Sequence, residues 1–334
     1  MKPHLNPNLY RKSIERVPTR NGYGEGLIEA GKKDKNVVVI TADLAESTRA
    51  IGFQKKFPDR FFECGVAEQN MMGVAAGLAR EGKIPFVSSY AVFSPGRSWD
   101  QMRVNVCYND VPVKIAGAHT GISVGPDGAT HQALEDIAIT RVLPNITVIA
   151  PCDEIETKKA TIAAAKTKKP IYLRFARNAT PVITTKRTPF KIGRAEILVL
   201  GKDVTLCASG PLLYEALLVA KKMKKEGISV EVINNHTIKP IDKKTIVASA
   251  KKTNAVVTIE EHQITAGAGS AVMECLAENY PVPIERVGMP DTFGESGEPE
   301  ELLKKYGLCC ANIEDAVKKL IKRKKSLKAK SNKL

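Results

Sequence analysis

Residues 68–90 read EQNMMGVAAGLAREGKIPFVSSY. Glu68, Met72, Ala75 and Ala79 recur at helical spacing, which predicts a helix with one buried face of small and apolar residues. Ile84–Tyr90 follows as a short apolar run without two-residue alternation, as in a strand covered on both faces. The same alternation extends outward. VVVIT (Val37–Thr41), VPVKIAGA (Val111–Ala118), ITVIAP (Ile146–Pro151) and IYLRFA (Ile171–Ala176) read as further buried strands, with ALEDIAITRVL among the helical segments between them. Alternating strands and helices predict a parallel sheet wrapped by helices.

A basic, proline-containing stretch, TPVITTKRTPFKIG (Thr180–Gly193), interrupts the pattern and reads as a linker. A second run of alternation follows: VTLCASG, a helix to about Glu226, VEVIN, VVTIEEH, a helix to Tyr280, and VPIERVG. The expected fold is α/β, with two doubly wound domains and mostly parallel sheets. The expected divisions are an arm over 1–15, a first domain over 16–186, a second over 187–317 and a basic tail over 318–334.

The composition narrows the function classes. The 334 residues are 43% hydrophobic and 26% charged, as in ordinary globular chains, which excludes a disordered or fibrous protein. No stretch stays apolar for the ~18 residues a membrane span needs. The opening MKPHLNPNLYRKSIER has no apolar core, so no secretory signal is expected there. Seven scattered cysteines without a CxxC pair argue against a zinc ribbon or a disulfide framework and suit a reducing cytoplasm. The net charge is +15, but nine basic and no acidic residues lie in the tail from Lys318, leaving +6 on residues 1–317. The tail is expected to be a solvated helix end, and a nucleic-acid partner is not expected.

In parallel sheets ligands sit beyond the carboxyl ends of the strands. Those ends carry Asp43, the segment Tyr90–Trp99, the loop His119–His131 and Arg177. The loop HTGISVGPDGATHQ (His119–Gln132) joins three glycines to two of the five histidines. Glycine there lets a ligand approach the backbone. A flexible connection is the plainer alternative, and a metal site would need a third ligand that the spacing does not supply. Glu68 opens its helix on the buried face. The helix dipole would favour it there in any protein, yet a buried carboxylate can also share a proton with a ring nitrogen. Tyr90, Phe93, Arg97 and Trp99 are expected to cluster and could hold a flat heterocycle, or simply fill a core. Arg20 and Arg177, with Ser47, could grip a phosphate. There is no GxxxxGK[ST] loop, and GAGSAV (Gly267–Val272) alone is a weak dinucleotide signal.

The motifs GVAEQNM, HTGISVGPDGATHQ and TADLAES resemble the C-terminal half of a transketolase, a thiamine-diphosphate enzyme, and the resemblance covers about residues 16–310. It implies a pyrimidine-binding domain followed by a transketolase C-terminal domain. It implies that Glu68 hydrogen-bonds the aminopyrimidine N1′, that Tyr90 and Phe93 line the pyrimidine pocket, and that Asp43 lies near the cofactor at a subunit interface. His131 resembles the residue that meets the ketose C1 hydroxyl and shuttles protons, and Asp127 the partner of the C2 hydroxyl. His119, Arg20, Ser47 and Arg177 resemble the group that binds the sugar phosphate, with His119 also counted as catalytic. A third pocket ring found in many relatives falls here at Gly96, with Trp99 or Tyr108 as candidates to fill the space.

The family binds Mg²⁺ and the diphosphate through a GDG motif that this chain lacks. The resemblance therefore implies one subunit of a split enzyme, with no metal ligands of its own. A separately encoded N-terminal subunit would hold the Mg²⁺–diphosphate site. Two copies of this chain would pair within an alpha2beta2 heterotetramer. The expected reaction moves a two-carbon ketol unit from a ketose phosphate to an aldose phosphate. The rival readings are a deoxyxylulose-phosphate synthase-like half, a 2-oxo-acid dehydrogenase beta subunit, and a non-catalytic scaffold on the same fold.

Overall fold

The computed structural model describes residues 4–331, with side chains described to residue 327. The first half runs β1 (Arg16–Pro18), α1 (Thr19–Lys33), β2 (Val37–Thr41), α2 (Ile51–Lys56), β3 (Phe61–Glu63), α3 (Glu68–Arg80) and β4 (Ile84–Tyr90). It continues with α4 (Trp99–Gln101), which leads into a π-helical stretch over Met102–Tyr108, then β5 (Lys114–Ala118), α5 (Asp136–Arg141), β6 (Thr147–Ile149), α6 (Glu154–Ala165), β7 (Ile171–Arg174) and β8 (Ala179–Pro181). The second half runs β9 (Glu196–Val199), β10 (Val204–Ala208), α7 (Leu213–Lys225), β11 (Val230–Asn234), β12 (Thr237–Lys239), α8 (Lys243–Thr253) and β13 (Val256–Gln263). It ends with α9 (Ala268–Asn279), β14 (Ile284–Met289), α10 (Pro299–Lys305) and α11 (Cys310–Ser331).

Two parallel sheets form, as the alternation predicts. The larger has the order β12-β6-β7-β5-β4-β2-β3 and the smaller β14-β13-β10-β11-β9. Every residue of β2, β5, β7, β10 and β11 is buried, because helices cover both faces and the strands need no polar side. The antiparallel pairs lie at edges: β9 beside β11, β12 beside β6, and a separate ribbon of β1 with β8. β12 comes from the second half yet closes the edge of the first half's sheet, a crossing that hydrophobic periodicity does not announce.

The linker expected at Thr180–Gly193 is held in place. Buried Asp153 caps α6 through Glu156 N–H at 2.8 Å and also accepts the Ile183 and Thr184 amides. Lys159 Nζ donates to the Thr185 and Thr188 carbonyls. At the glycine-rich GAGSAV segment, buried Glu260 accepts the Ala268 and Gly269 amides at 2.6 and 2.8 Å and satisfies the start of α9. Burial pushes the Glu260 carboxyl up to about 7, against the pull of those amides. The basic tail continues α11, whose Ile313, Val317 and Leu320 are buried. Lys318 pairs with Glu226 and Lys319 with Glu285, and residues 332–334 lie outside the described residues.

Candidate functional site

The carboxyl edge of the larger sheet gathers the site. Tyr90 ends β4, His119 follows β5, Arg177 follows β7, Asp43 follows β2, and Glu68 opens α3. The ring of Tyr90 lies 3.9 Å from that of His119, tilted by 33°. Phe93 stacks on Tyr90 at 5.9 Å and 18°. His131, at the far end of the histidine loop, meets Phe93 edge-on at 5.5 Å and Tyr90 at 6.1 Å. The two histidines thus come to one aromatic pair from opposite ends of the loop.

Glu68 is 2% exposed, held at the start of α3 by a helix face of Met71, Met72, Ala75, Ala76 and Ala79 that is also buried. Arg97 reaches across Phe93, 4.7 Å from its centroid, and its Nη1 donates to Glu68 Oε2 at 2.9 Å. The Glu68 carboxylate is therefore linked to the aromatic pair through a cation.

His119 is 1% exposed and has φ +56°. Burial, then the cations of Arg20 and Arg177 with His131 and Arg49 beyond, push its imidazole down to about 3, so it is neutral in ordinary buffers. Arg20 Nη1 approaches His119 Nε2 at 3.5 Å. A guanidinium only donates, so Nε2 accepts and the ring proton sits on Nδ1. Nδ1 is buried without a protein partner, as is Arg20 Nε. Polar atoms buried in this way are ready to meet a polar ligand.

Arg20 Nη1 also donates to the backbone carbonyl of Ser47 at 2.9 Å. Ser47 therefore contributes by fixing Arg20. Burial together with Arg49 and Arg177 lowers Arg20's hold on its proton, the mark of three guanidinium groups gathered in one place. Arg49 was not visible as a site residue in the sequence; it sits at φ +68°, outside any strand end, and donates from Nε to Asn21 Oδ1 at 3.0 Å. Arg177 Nη1 donates to Val124 O at 2.9 Å and to Asp127 Oδ1 at 3.2 Å, joining the strand end to the middle of the histidine loop. Asp43 is exposed at φ +59°, with its amide donating to Glu63 Oε1 at 2.8 Å, in a concavity shared with Leu44, Glu46 and Ser47.

One expected neighbour is placed elsewhere. Trp99 does not join the aromatic pair, because its indole N–H donates to Ile139 O at 2.7 Å and its ring packs against the core between α3 and β6. Tyr108 is 83% exposed. At Gly96 a Cβ would stand 2.1 Å from the carbonyl oxygen of Val92, so this turn has no room for a side chain, let alone a third ring. Among the described residues no three His, Cys, Asp or Glu side chains gather as metal ligands.

A family model for the pyrimidine binding domain of transketolase matches residues 15–182, and one for the transketolase C-terminal domain matches residues 193–313. The chain belongs to the transketolase family. It is 49% identical over 292 residues to a Methanocaldococcus jannaschii protein described as a transketolase C-terminal section, covering 86% of this chain and 92% of that protein. Human transketolase is 36% identical over 311 residues, and there the match covers 92% of this chain but 49% of the human protein. A solved split-gene transketolase, an inactive beta4 tetramer, is 45% identical with a TM-score of 0.86, covering 92% of this chain and 99% of that one. The chain thus corresponds to the C-terminal part of transketolase, and its histidine loop, Glu68 and aromatic pair lie within the pyrimidine-binding match.

Proposed function

We propose that this chain is the C-terminal subunit of a split transketolase that transfers a two-carbon ketol unit between sugar phosphates, with thiamine diphosphate as cofactor. What carries the reading is the convergence of Glu68, the Tyr90–Phe93 pair, His119, His131 and three guanidinium groups at one sheet edge. The donor set suits the cofactor's aminopyrimidine: two aromatic faces for its ring, a buried carboxylate for its ring nitrogen, and the unpartnered His119 Nδ1 beside them. When bound, thiamine diphosphate supplies the carbon nucleophile and the electron sink for breaking and making the C–C bond.

The chain's own residues bind, orient and handle protons. Glu68 would hydrogen-bond the pyrimidine N1′ in place of its present bond from Arg97. Tyr90 and Phe93 exclude water from the ring faces. Arg20 and Arg177, with His119 as a neutral hydrogen-bonding group, bind the sugar phosphate, and Ser47 steadies Arg20 through its carbonyl. His131 meets the ketose C1 hydroxyl and moves its proton, and Asp127 meets the C2 hydroxyl. Asp43 lies toward the cofactor at an interface between subunits. Mg²⁺ and the diphosphate fall to a separately encoded N-terminal subunit, in an alpha2beta2 assembly with two copies of this chain. The functional units proposed are the arm 1–15, domains over 16–186 and 187–317, and the tail 318–334. No helix among the described residues is long and apolar enough to cross a membrane. The seven free cysteines suit the cytoplasmic location proposed for the enzyme.

The test is reconstitution. This chain and an N-terminal-type subunit, each inactive alone, should together transfer ketol units and bind thiamine diphosphate by calorimetry. Full turnover by this chain alone would refute the split reading, and no cofactor binding by the mixture would favour a scaffold.

A further inference from the structure

The histidine loop belongs to the first half of the chain, but its backbone is held from the second half. Glu261, near the carboxyl end of β13, is 3% exposed, and its Oε1 accepts the Ser123 amide at 2.7 Å. Gly121 has φ +82° and passes so close that a Cβ would lie 2.2 Å from that same oxygen. The turn is thus shaped around the carboxylate, with a residue that only glycine suits. At the other end of the loop Gln132 Nε2 donates to Ile122 O at 3.2 Å and to Glu295 O at 2.9 Å. The Gln263 amide donates to Leu134 O at 2.9 Å.

Glu261 is itself fixed. Its carbonyl accepts Arg174 Nη2 at 2.7 Å, and Arg174 Nε donates to Asp136 Oδ2 at 2.8 Å. Tyr172 Oη donates to the same Asp136 oxygen at 2.7 Å. The strut runs from β7 of the first sheet to β13 of the second and ends on the loop. The turn Gly121–Val124 lies between His119 and the pair Asp127 and His131, so its conformation sets their spacing. Val124 O is also where Arg177 attaches.

We infer that Glu261 is a positioning residue for ketol transfer: the second domain uses it to set the distance between the two ends of the substrate-binding histidine loop. The inference rests on the proposed transketolase reading for its kinetic consequence and on geometry alone for its structural one. A displacement of about 1 Å at a substrate-positioning group is enough to cost on the order of 10²-fold in rate.

Three variants separate reach from charge. Glu261→Ala removes the acceptor, Glu261→Asp withdraws it by one methylene while keeping the charge, and Glu261→Gln keeps an oxygen at the same reach. In the complex with the N-terminal subunit, Ala and Asp should raise KM for the phosphorylated ketose by about tenfold or more, with a smaller change in kcat. Thiamine-diphosphate affinity should stay within about twofold of wild type. Amide hydrogen exchange should quicken over Gly121–Val124 and stay unchanged over Ile171–Arg174 and Val204–Ala208. Gln should restore both readouts. Unchanged loop exchange in Ala and Asp, or Gln behaving like Ala, overturns the inference. Should Ala fail to fold, the contrast between Asp and Gln decides. A wild-type complex that transfers no ketol unit refutes the proposed function instead, and the exchange comparison still judges Glu261.

Discussion

Two carboxylates in the first domain are equally buried and differently kept. Asp136 is 1% exposed and is held by Arg174, 4% exposed, and by the Tyr172 hydroxyl. Glu68 is 2% exposed, but its cation Arg97 is 51% exposed and comes from the loop after β4. Burial opposes the charge of Arg174, and Asp136, Tyr172 and Glu261 outweigh it so that its proton is held more tightly. The first pair joins the end of β7 to the start of α5, with both side chains buried. The second pair is open to water on Arg97's side, so a ligand's nitrogen can take Arg97's place at less cost than at Asp136. Depth alone does not distinguish these two carboxylates; the exposure of the partner does.

The largest effect that would break this contrast concerns Glu68. Glu68→Gln should lower ketol transfer by the reconstituted complex by about 10²–10⁴-fold, the usual range for a lost proton-transfer group, with the melting temperature little changed. Steady-state rates beside a thermal melt check both halves, and retained turnover removes Glu68 from the mechanism. Next, Asp136→Ala leaves Arg174 buried without its carboxylate and should cost about 3–5 kcal/mol in urea unfolding. If that variant is as stable as wild type, Asp136 is no strut.

A pH effect follows in size. His119, at about 3, and His236, pushed down to about 4 by burial, bind fewer protons in the folded chain than unfolded. Their contribution to stability is complete above the ordinary histidine value of about 6.5 and is lost as the pH falls toward 4 and 3. His119→Asn should flatten the acid limb of stability in that window and leave it unchanged near neutrality, as melts across the series would show. The smallest effect is that of Arg97→Ala, which leaves buried Glu68 without its cation but opens that side to water, and should cost about 1–3 kcal/mol of unfolding free energy. A loss several times larger would make the Glu68 pair structural and erase the contrast.

Much of the fold was legible because buried parallel strands need no polar face. Val37–Thr41, Ile84–Tyr90 and Val230–Asn234 stand where their apolar runs predict. Edge elements were not. Phe61–Glu63 is three residues long and partly exposed, too short to carry a period. Thr237–Lys239 goes unassigned in the sequence because its partner, Thr147–Ile149, lies about ninety positions earlier in the chain. That His119, His131 and Tyr90 come together was readable, because they stand at strand ends or in a glycine-marked loop. Trp99 was misread because its neighbour in space, Ile139, is remote in sequence. Arg49 and Glu261 escaped for the same reason: their significance lies in what folding brings beside them.

The donation of β12 to the far sheet limits how this gene can be rearranged. A break near residue 187 would deliver the first lobe with the Thr147–Ile149 edge bare, an open template for unwanted strand addition. Recombination that grafts one lobe between relatives must carry the Asn234–Pro240 passage along with it.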